Sequence, residues 1–311
     1  MNDSDKNNNS QDNDKVDFSR ISVVLPAYNE AASIGELVEQ TLKVTNNQAE
    51  IIVVDDGSTD QTADIAKAAG AIVVKHPYNK GNGASVKTGA RSASRDIVVF
   101  MDSDGQHDPS DIAALAAMID KYDLVIGSRS FNKMEYLHRN LANKFYSRLA
   151  AYLTEQNIPD LTSGFRAFKR QYLLAFLHLF PNRFSYPTTS TLSFIKAGLN
   201  VGFCPINSRK RVSQSKVKIF RDGFKFFLII LKIIVLFHPF RIFFPVSILS
   251  FILGLISGIL SIKAEGRLHI PNSATILFVA SVFIFLMGLV SEQIASLKME
   301  FLDKRDNDNS R

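Results

Sequence analysis

The chain has 311 residues, with 36 Lys and Arg against 30 Asp and Glu, a formal net charge of +6 and a pI near 9.3. That length, with 46% hydrophobic and 21% charged residues, allows one sizeable α/β domain and an appendage but not two large domains. A single cysteine, Cys204, excludes an intramolecular disulfide and any multi-cysteine zinc site.

In chain order, Met1 to about Asp17 is rich in Asn, Asp, Ser and Lys and lacks an apolar signal core, so a disordered, uncleaved lead is expected over residues 1–17. From Ile21 onward, short β-branched runs alternate with helical patterns. Strands are predicted at Ile21–Pro26, Ile51–Asp55, Ala71–Lys75, Asp96–Met101 and Asp123–Gly127. The intervening helices open on Ser33 with Glu36 and Ser58 with Gln61, both at capping-box spacing, and on Asp108–Pro109 as N-cap and first helical residue. Strand–helix–strand alternation implies βαβ units, a mostly parallel Rossmann-like sheet, and ligands beyond the carboxyl ends of its strands.

The stretch from Phe131 to Arg211 is mixed in pattern. Phe226–Phe237 is apolar, about a dozen residues long and interrupted by Lys232, which fits an interfacial helix better than a span. Phe243–Ile262 and Ala274–Ser291 are uncharged or nearly so and are joined by the polar turn Lys263–Asn272, the pattern of a transmembrane hairpin. Arg209, Lys210, Arg211, Lys216, Lys218, Arg221, Lys225, Lys232 and Arg241 precede it, and Lys298, Lys304 and Arg305 follow it. Both ends are therefore expected on the cytoplasmic side of an inner or cell membrane, and the basic balance points to a membrane surface, not to nucleic acid. The expected divisions are 1–17 lead, 18–217 catalytic domain, 218–242 juxtamembrane segment, 243–297 hairpin and 298–311 cytoplasmic tail.

Three polar clusters directly follow strands: Pro26-Ala27-Tyr28-Asn29-Glu30, Asp55-Asp56-Gly57-Ser58-Thr59-Asp60 and Asp102-Ser103-Asp104-Gly105-Gln106-His107. Turns at one edge of one sheet converge on one cleft. Asp102 and Asp104, two residues apart, can present oxygens to Mg²⁺ or Mn²⁺, which takes its remaining ligands from water and phosphate. A nucleoside diphosphate held there would gain a Lewis acid for its leaving group. Asp56 is placed to accept hydrogen bonds from a base or ribose. Tyr28 and Glu30 either contact that nucleotide or line the turn. Asp60 reads as a helix cap, and His76 and His107 as structural or solvent-facing.

VVLPAYNE, IIVVDDGSTDQT and VVFMDSDGQHDP resemble the three signature segments of family 2 glycosyltransferases of the GT-A fold. DLVIGSR (Asp123–Arg129), DLTSGFR (Asp160–Arg166), the basic run ending Ser215-Lys216 and the apolar hairpin are similar to the dolichyl- or polyprenyl-phosphate mannose or glucose synthase branch. The resemblance covers about Ile21–Met299. It implies that Pro26, Tyr28, Glu30 and Asp56 hold a nucleotide-sugar donor. Asp102, Ser103 and Asp104 would face the diphosphate, with Asp104 and Gln106 as direct ligands of Mg²⁺ or Mn²⁺ and Asp102 beside them. Arg129, Ser163 and Arg166 would bind the lipid phosphate, and Arg211 and Lys216 would close over the diphosphate. Guanidinium forks and lysine charges suit those oxygens. The chain departs from the branch at Ser213, where a glycine is usual, and at Phe184–Leu192, which lacks an acidic residue near its end.

The activity implied is inverting, metal-dependent transfer of a hexose from a GDP- or UDP-sugar to a polyprenyl phosphate. Asp104, Arg129 and Arg166 would be the catalytic groups. The partners are donor, acceptor lipid and membrane, with no nucleic acid; a homo-oligomer is compatible. A processive polysaccharide synthase would carry a Gln-x-x-Arg-Trp motif, and this chain has no tryptophan. A non-catalytic scaffold would have lost an acid from the Asp102–Asp104 turn, where both are present.

Overall fold

The computed structural model describes residues 16–129, 158–183, 185–206, 239–265 and 270–309, with positions 231 and 235. Nearly all of the expected lead, most of the juxtamembrane segment, Arg211 and Lys216 lie outside the described residues, as does the side chain of Arg129. The chain divides into two compact units, the first made of Met1–Glu135, Pro159–Pro187 and Leu199–Lys216, the second of Tyr136–Ile158, Thr188–Gly198 and Val217–Arg311.

The first unit is built on strands β1 (Ile21–Ala27), β2 (Glu50–Asp55), β3 (Ile72–Lys75), β4 (Ile97–Phe100), β5 (Leu124–Arg129), β6 (Arg166–Lys169) and β7 (Val201–Ile206). They form one sheet in the order β3-β2-β1-β4-β6-β5-β7. All neighbours pair in parallel except those involving β6, which runs against both β4 and β5. The five predicted strands are present to within a residue or two at each end. β6 and β7 lie in the stretch whose pattern was mixed.

Central strands β1, β2 and β4 read as nearly unbroken apolar runs because both faces of the sheet are covered. Helices α1 (Ile34–Val44), α2 (Thr62–Ala68), α3 (Asn82–Ser92) and α4 (Asp111–Met118) connect them. The core on one face joins Val23, Leu25, Val53 and Val99 to Ile34, Val38 and Leu115. On the other face α3 presses so closely that a Cβ on Gly89 would lie 2.2 Å from Cγ1 of Val24.

Helix starts differ from expectation. Ser33 does stand at the N-cap of α1, but its hydroxyl makes no capping bond and donates instead to the Ser103 carbonyl at 3.0 Å. Neither capping box forms, because these hydroxyls tie loops together. Ser58 Oγ accepts from the Asn29 N–H at 2.9 Å, and Gln61 occupies the cap of α2. Asp60 behaves as a cap, its Oδ1 accepting from the Thr62 N–H at 3.0 Å. Asp108 turns the chain, accepting from the Ser110 N–H at 3.0 Å, and α4 begins at Asp111, two residues later than predicted.

Two further helices, α5 (Arg170–Phe176) and α6 (Tyr186–Lys196), follow β6. In the second unit, α7 (Phe240–Glu265) and α8 (Asn272–Asn309) pack along each other. Their apolar windows, Phe240–Ala264 and Asn272–Leu297, are 25 and 26 residues long and only 11% and 17% buried. A core hairpin of a soluble protein would be mostly buried, so the low burial fits the expected transmembrane hairpin. At 1.5 Å per residue each window is about 38 Å long, enough to cross a hydrocarbon core of about 30 Å. Helix α8 runs on to Asn309, so the expected separate tail after residue 297 begins as a continuation of the same helix. Near one end of the hairpin, Glu292 accepts from the Phe240 N–H at 3.1 Å, placing a carboxylate at the N-terminus of α7.

At the amino-terminal edge of the sheet, burial raises the Glu50 carboxyl. Hydrogen bonds from Ser22 and from the Ser94 N–H and hydroxyl, with Arg95 nearby, outweigh it and hold the group below its ordinary 4.5. The unfolded chain binds this proton more readily, so the stabilisation is fully present above about pH 4.5 and is lost as pH falls through the depressed folded value. Glu50→Gln is expected to flatten that acid limb in denaturant unfolding measured from pH 3 to 6. An unchanged slope would show that the Ser22–Glu50–Ser94 network contributes nothing.

Candidate active site

The site follows from strand register. Ala27 of β1 pairs with Asp55 of β2, and Val24 pairs with Phe100 of β4. The chain therefore leaves all three strands at one edge, and Asp56 and Asp102 emerge on either side of Pro26-Ala27-Tyr28. Strand order also reverses about β1, which carries β2 on one side and β4 on the other, the usual crevice of a doubly wound sheet. A cavity of about 430 Å³ opens there, lined by all three acidic clusters through residues that include Tyr28, Glu30, Asp56, Asp102, Asp104 and Gln106. Of the residues predicted from the motifs, Pro26 and Ser103 line it as well.

Asp56 is buried, and its carboxylate is heavily engaged. Oδ1 accepts from the Lys80 N–H at 2.9 Å and lies 2.7 Å from His76 Nδ1, while Oδ2 accepts from the Gly81 N–H at 2.8 Å. His76 Nε2 in turn meets Thr88 Oγ1 at 2.9 Å. Asp56 thus folds the loop between β3 and α3 as well as facing the cavity. Gly57 has a left-handed φ of +74°, and a Cβ there would strike the Tyr78 backbone at 2.6 Å. The rest of DDGSTD knits the first loop to the second: the Asn29 amide oxygen accepts from the Thr59 N–H at 2.9 Å, and Thr62 Oγ1 from the Glu30 N–H at 2.9 Å.

In the third cluster, Ser103 donates its hydroxyl to the Pro26 carbonyl at 2.7 Å, and Asp104 Oδ1 accepts from the Gln106 N–H at 3.2 Å. The Asp102 carboxylate packs on the backbone of Gly164, where a Cβ would lie 2.4 Å from Oδ2. Buried His107 sits behind it with Nε2 3.8 Å from the same oxygen and its ring 5.1 Å from that of Phe165. Neither His76 nor His107 faces solvent; both are 8% exposed or less and are structural.

Ser163 and Arg166 stand apart from the cavity lining. They are 1% and 0% exposed. The Arg166 guanidinium donates from Nε to the Ser163 carbonyl at 2.6 Å and from Nη2 to the Leu161 carbonyl at 3.3 Å. Asp160 Oδ1 accepts from the Thr162 and Ser163 N–H groups. The segment DLTSGFR is therefore a rigid buttress that holds Gly164 against Asp102. Tyr186 completes it by donating to the Gly164 carbonyl at 2.8 Å. Burial, then the Asp102 carboxylate, push the Tyr186 hydroxyl far above its usual 10.0 against the opposing pull of Arg166, which keeps it a donor.

The motif reading missed Asn79, Gly81, Asn82 and Ser85, which line the cavity from the loop before α3 and its first turn. The signal was the run Asn79-Lys80-Gly81-Asn82-Gly83 between a strand and a helix. Gly81 has φ +103°, and a Cβ on Gly83 would lie 2.0 Å from the Pro181 carbonyl oxygen.

The pattern of "Glycosyl transferase family 2" matches residues 22–176, and that of "GtrB C-terminal hairpin" matches residues 238–297. A dolichyl-phosphate hexose transferase of Haloferax volcanii is 30% identical over 211 residues, covering 66% of this chain and 90% of that protein. The chain belongs to glycosyltransferase family 2. A UDP-N-acetylglucosamine–dolichyl-phosphate N-acetylglucosaminyltransferase of Methanococcus voltae is 32% identical over 242 residues, 68% of this chain and 96% of that one. An undecaprenyl-phosphate 4-deoxy-4-formamido-L-arabinose transferase of Pectobacterium carotovorum is 32% identical over 171 residues, and the chain spans about half of its length, 52%. Glucosyl-3-phosphoglycerate synthase of Mycobacterium tuberculosis, crystallised with Mn²⁺ and UDP-glucose, superposes with a TM-score of 0.58. It is 22% identical and the match covers 71% of this chain and 82% of that one, which shows the shared GT-A fold.

Among the described residues of this family 2 glycosyltransferase, no three His, Cys, Asp or Glu side chains gather as a metal cage. Asp102, Asp104 and Gln106 nonetheless line one wall of the cavity. Two carboxylates and an amide oxygen are the partial set that Mg²⁺ or Mn²⁺ accepts when phosphate oxygens and water complete its shell. The residues fit an ion that arrives with a diphosphate. Gly164→Ala should displace Asp102 and lower sugar transfer on the order of 10- to 100-fold with the far-UV CD spectrum retained. Full activity in that variant would show that Gly164 does not set the position of Asp102.

Proposed function

We propose that this transferase moves a hexose from a UDP- or GDP-linked donor to a polyprenyl phosphate at the cytoplasmic membrane face, with inversion and with Mg²⁺ or Mn²⁺. The observation that carries this reading is the cavity in which Asp56 shares a wall system with Asp102 and Asp104, in a chain that also has a lipid-compatible hairpin. The Haloferax and Methanococcus relatives, named for dolichyl-phosphate acceptors, support the same acceptor class here.

The acceptor phosphate oxygen forms a bond to the anomeric carbon from the face opposite the nucleoside diphosphate, whose C–O bond breaks with its electron pair. A phosphate monoester is largely ionised near neutral pH, its second pKa being about 6, so little general-base help is needed. Positioning and charge stabilisation carry the catalysis. The divalent ion, when bound, neutralises charge on the leaving diphosphate. Asp104, Gln106 and Asp102 hold that end of the donor, while Tyr28, Glu30, Asp56 and Pro26 hold the nucleoside. Arg129, Arg211 and Lys216 supply cations to the phosphates. Ser163 and Arg166 act one layer back, by holding Gly164 and through it Asp102. Domain 18–217 works on the cytoplasmic side with segment 218–242 at the interface, hairpin 243–297 in the bilayer and both termini cytoplasmic.

Membranes containing the protein, incubated with labelled UDP- and GDP-sugars with and without Mg²⁺ or Mn²⁺, should transfer acid-labile label into organic solvent from one donor class, and only with the ion. Asp104→Ala should abolish transfer while leaving membrane insertion intact. Equal transfer by that variant would remove the acidic turn from the reaction.

A further inference from the structure

Ser85 lies in the first turn of α3, is completely buried and lines the cavity. Its Oγ has no hydrogen-bond partner among the described residues. A buried hydroxyl in that state is unfavourable, and native structures leave few of them. The usual local escape, a bond to the carbonyl four residues back, is not taken: the Gly81 carbonyl already accepts the N–H groups of Ala84 at 2.8 Å and Ser85 at 3.2 Å. The facing strand offers nothing either. Gly89, one turn later on the same face, abuts Val24. Because α3 returns against the strand direction, one turn toward its start brings Ser85 to the level of Pro26. Proline has no N–H, and its carbonyl is taken by Ser103.

Charge decides which part of the donor comes here. Asp56 lines the same end of the cavity, its Oδ2 accepting the Gly81 N–H and retaining capacity for a second donor. A carboxylate repels phosphate, whereas the Asp102–Asp104 wall can be neutralised by a divalent ion. The diphosphate therefore lies toward Asp104 and the uncharged base toward Asp56 and Ser85.

We propose that Ser85 is a specificity-determining residue: its hydroxyl donates to the base keto oxygen that neighbours a ring N–H taken by Asp56. This pairing selects uracil over cytosine, or guanine over adenine, because the amino bases present a ring lone pair to the Asp56 carboxylate. The proposal rests on the donor-cavity reading above. The test uses the full chain in detergent with Mn²⁺ and measures binding of UDP, CDP, GDP and ADP by calorimetry. Ser85→Ala, which introduces a better helix former, is expected to weaken the bound keto nucleotide about 10-fold and its amino counterpart less than 2-fold. Ser85→Cys, similar in shape and a poor donor, should repeat the loss. Unchanged keto binding overturns the proposal. Equal weakening of keto and amino partners also overturns it, by assigning the hydroxyl to ribose or phosphate. Failure of the unsubstituted protein to bind any of the four would overturn the donor-cavity reading itself.

Discussion

The carboxylates of Glu30, Asp56, Asp102 and Asp104 surround one cavity, and their mutual repulsion is the constraint around which the rest of the unit is arranged. Two such charges 4 Å apart repel by about 4 kcal/mol at an effective dielectric of 20. The fold offsets this with dipoles already in place. Asp56 takes the Lys80 and Gly81 N–H groups and His76, and Asp104 takes the Gln106 N–H. Asp102 is pressed onto Gly164 by a segment in which Asp160 accepts the Thr162 N–H and Arg166 donates to the Ser163 carbonyl. A pocket built this way is prepared for a divalent cation and a diphosphate together, because each neutralises the other and the cation neutralises the walls.

Sheet register makes that convergence cheap. Once β1 pairs with β2 and β4, the three polar loops must leave the same edge. The loops are then cross-linked through Ser33, Asn29, Ser58 and Thr62, so the motif residues serve the scaffold as much as the ligand. The second unit answers to a different solvent. Side chains such as Leu249, Phe251, Leu260, Ile276 and Phe283 are between 49% and 66% exposed, an apolar surface that suits lipid. The polar exception at its end, Glu292, is matched to a helix N-terminus.

Strands followed by acidic turns were legible in the sequence because a doubly covered parallel sheet leaves apolar runs and its ligand edge leaves polar ones. β6 was not, since Arg166-Ala167-Phe168-Lys169 is four residues long and begins with a charge that the fold buries. The family resemblance assigned Arg166 and Ser163 to the acceptor phosphate, and nothing in the motif reveals that the guanidinium also donates to the Ser163 and Leu161 carbonyls. The stretch Asn79–Ser85 was overlooked because the residues it gives to the cavity, Asn79, Gly81, Asn82 and Ser85, are all uncharged. Hydroxyls at capping spacing misled for a related reason: a serine can serve a neighbouring loop as well as its own helix, and only the tertiary arrangement decides.

On the proposed function, one cavity at the reversal of strand order holds nucleoside diphosphate and divalent ion together. The most direct measurement is a structure of the full chain with Mn²⁺ and the nucleoside diphosphate of its donor, with the ion located by its anomalous scattering. A manganese peak is expected within coordinating distance of Asp104 and Gln106 and beside the diphosphate, with the base on the Asp56 side. A peak elsewhere, or a nucleotide bound away from Asp56 and Asp104, would contradict that function.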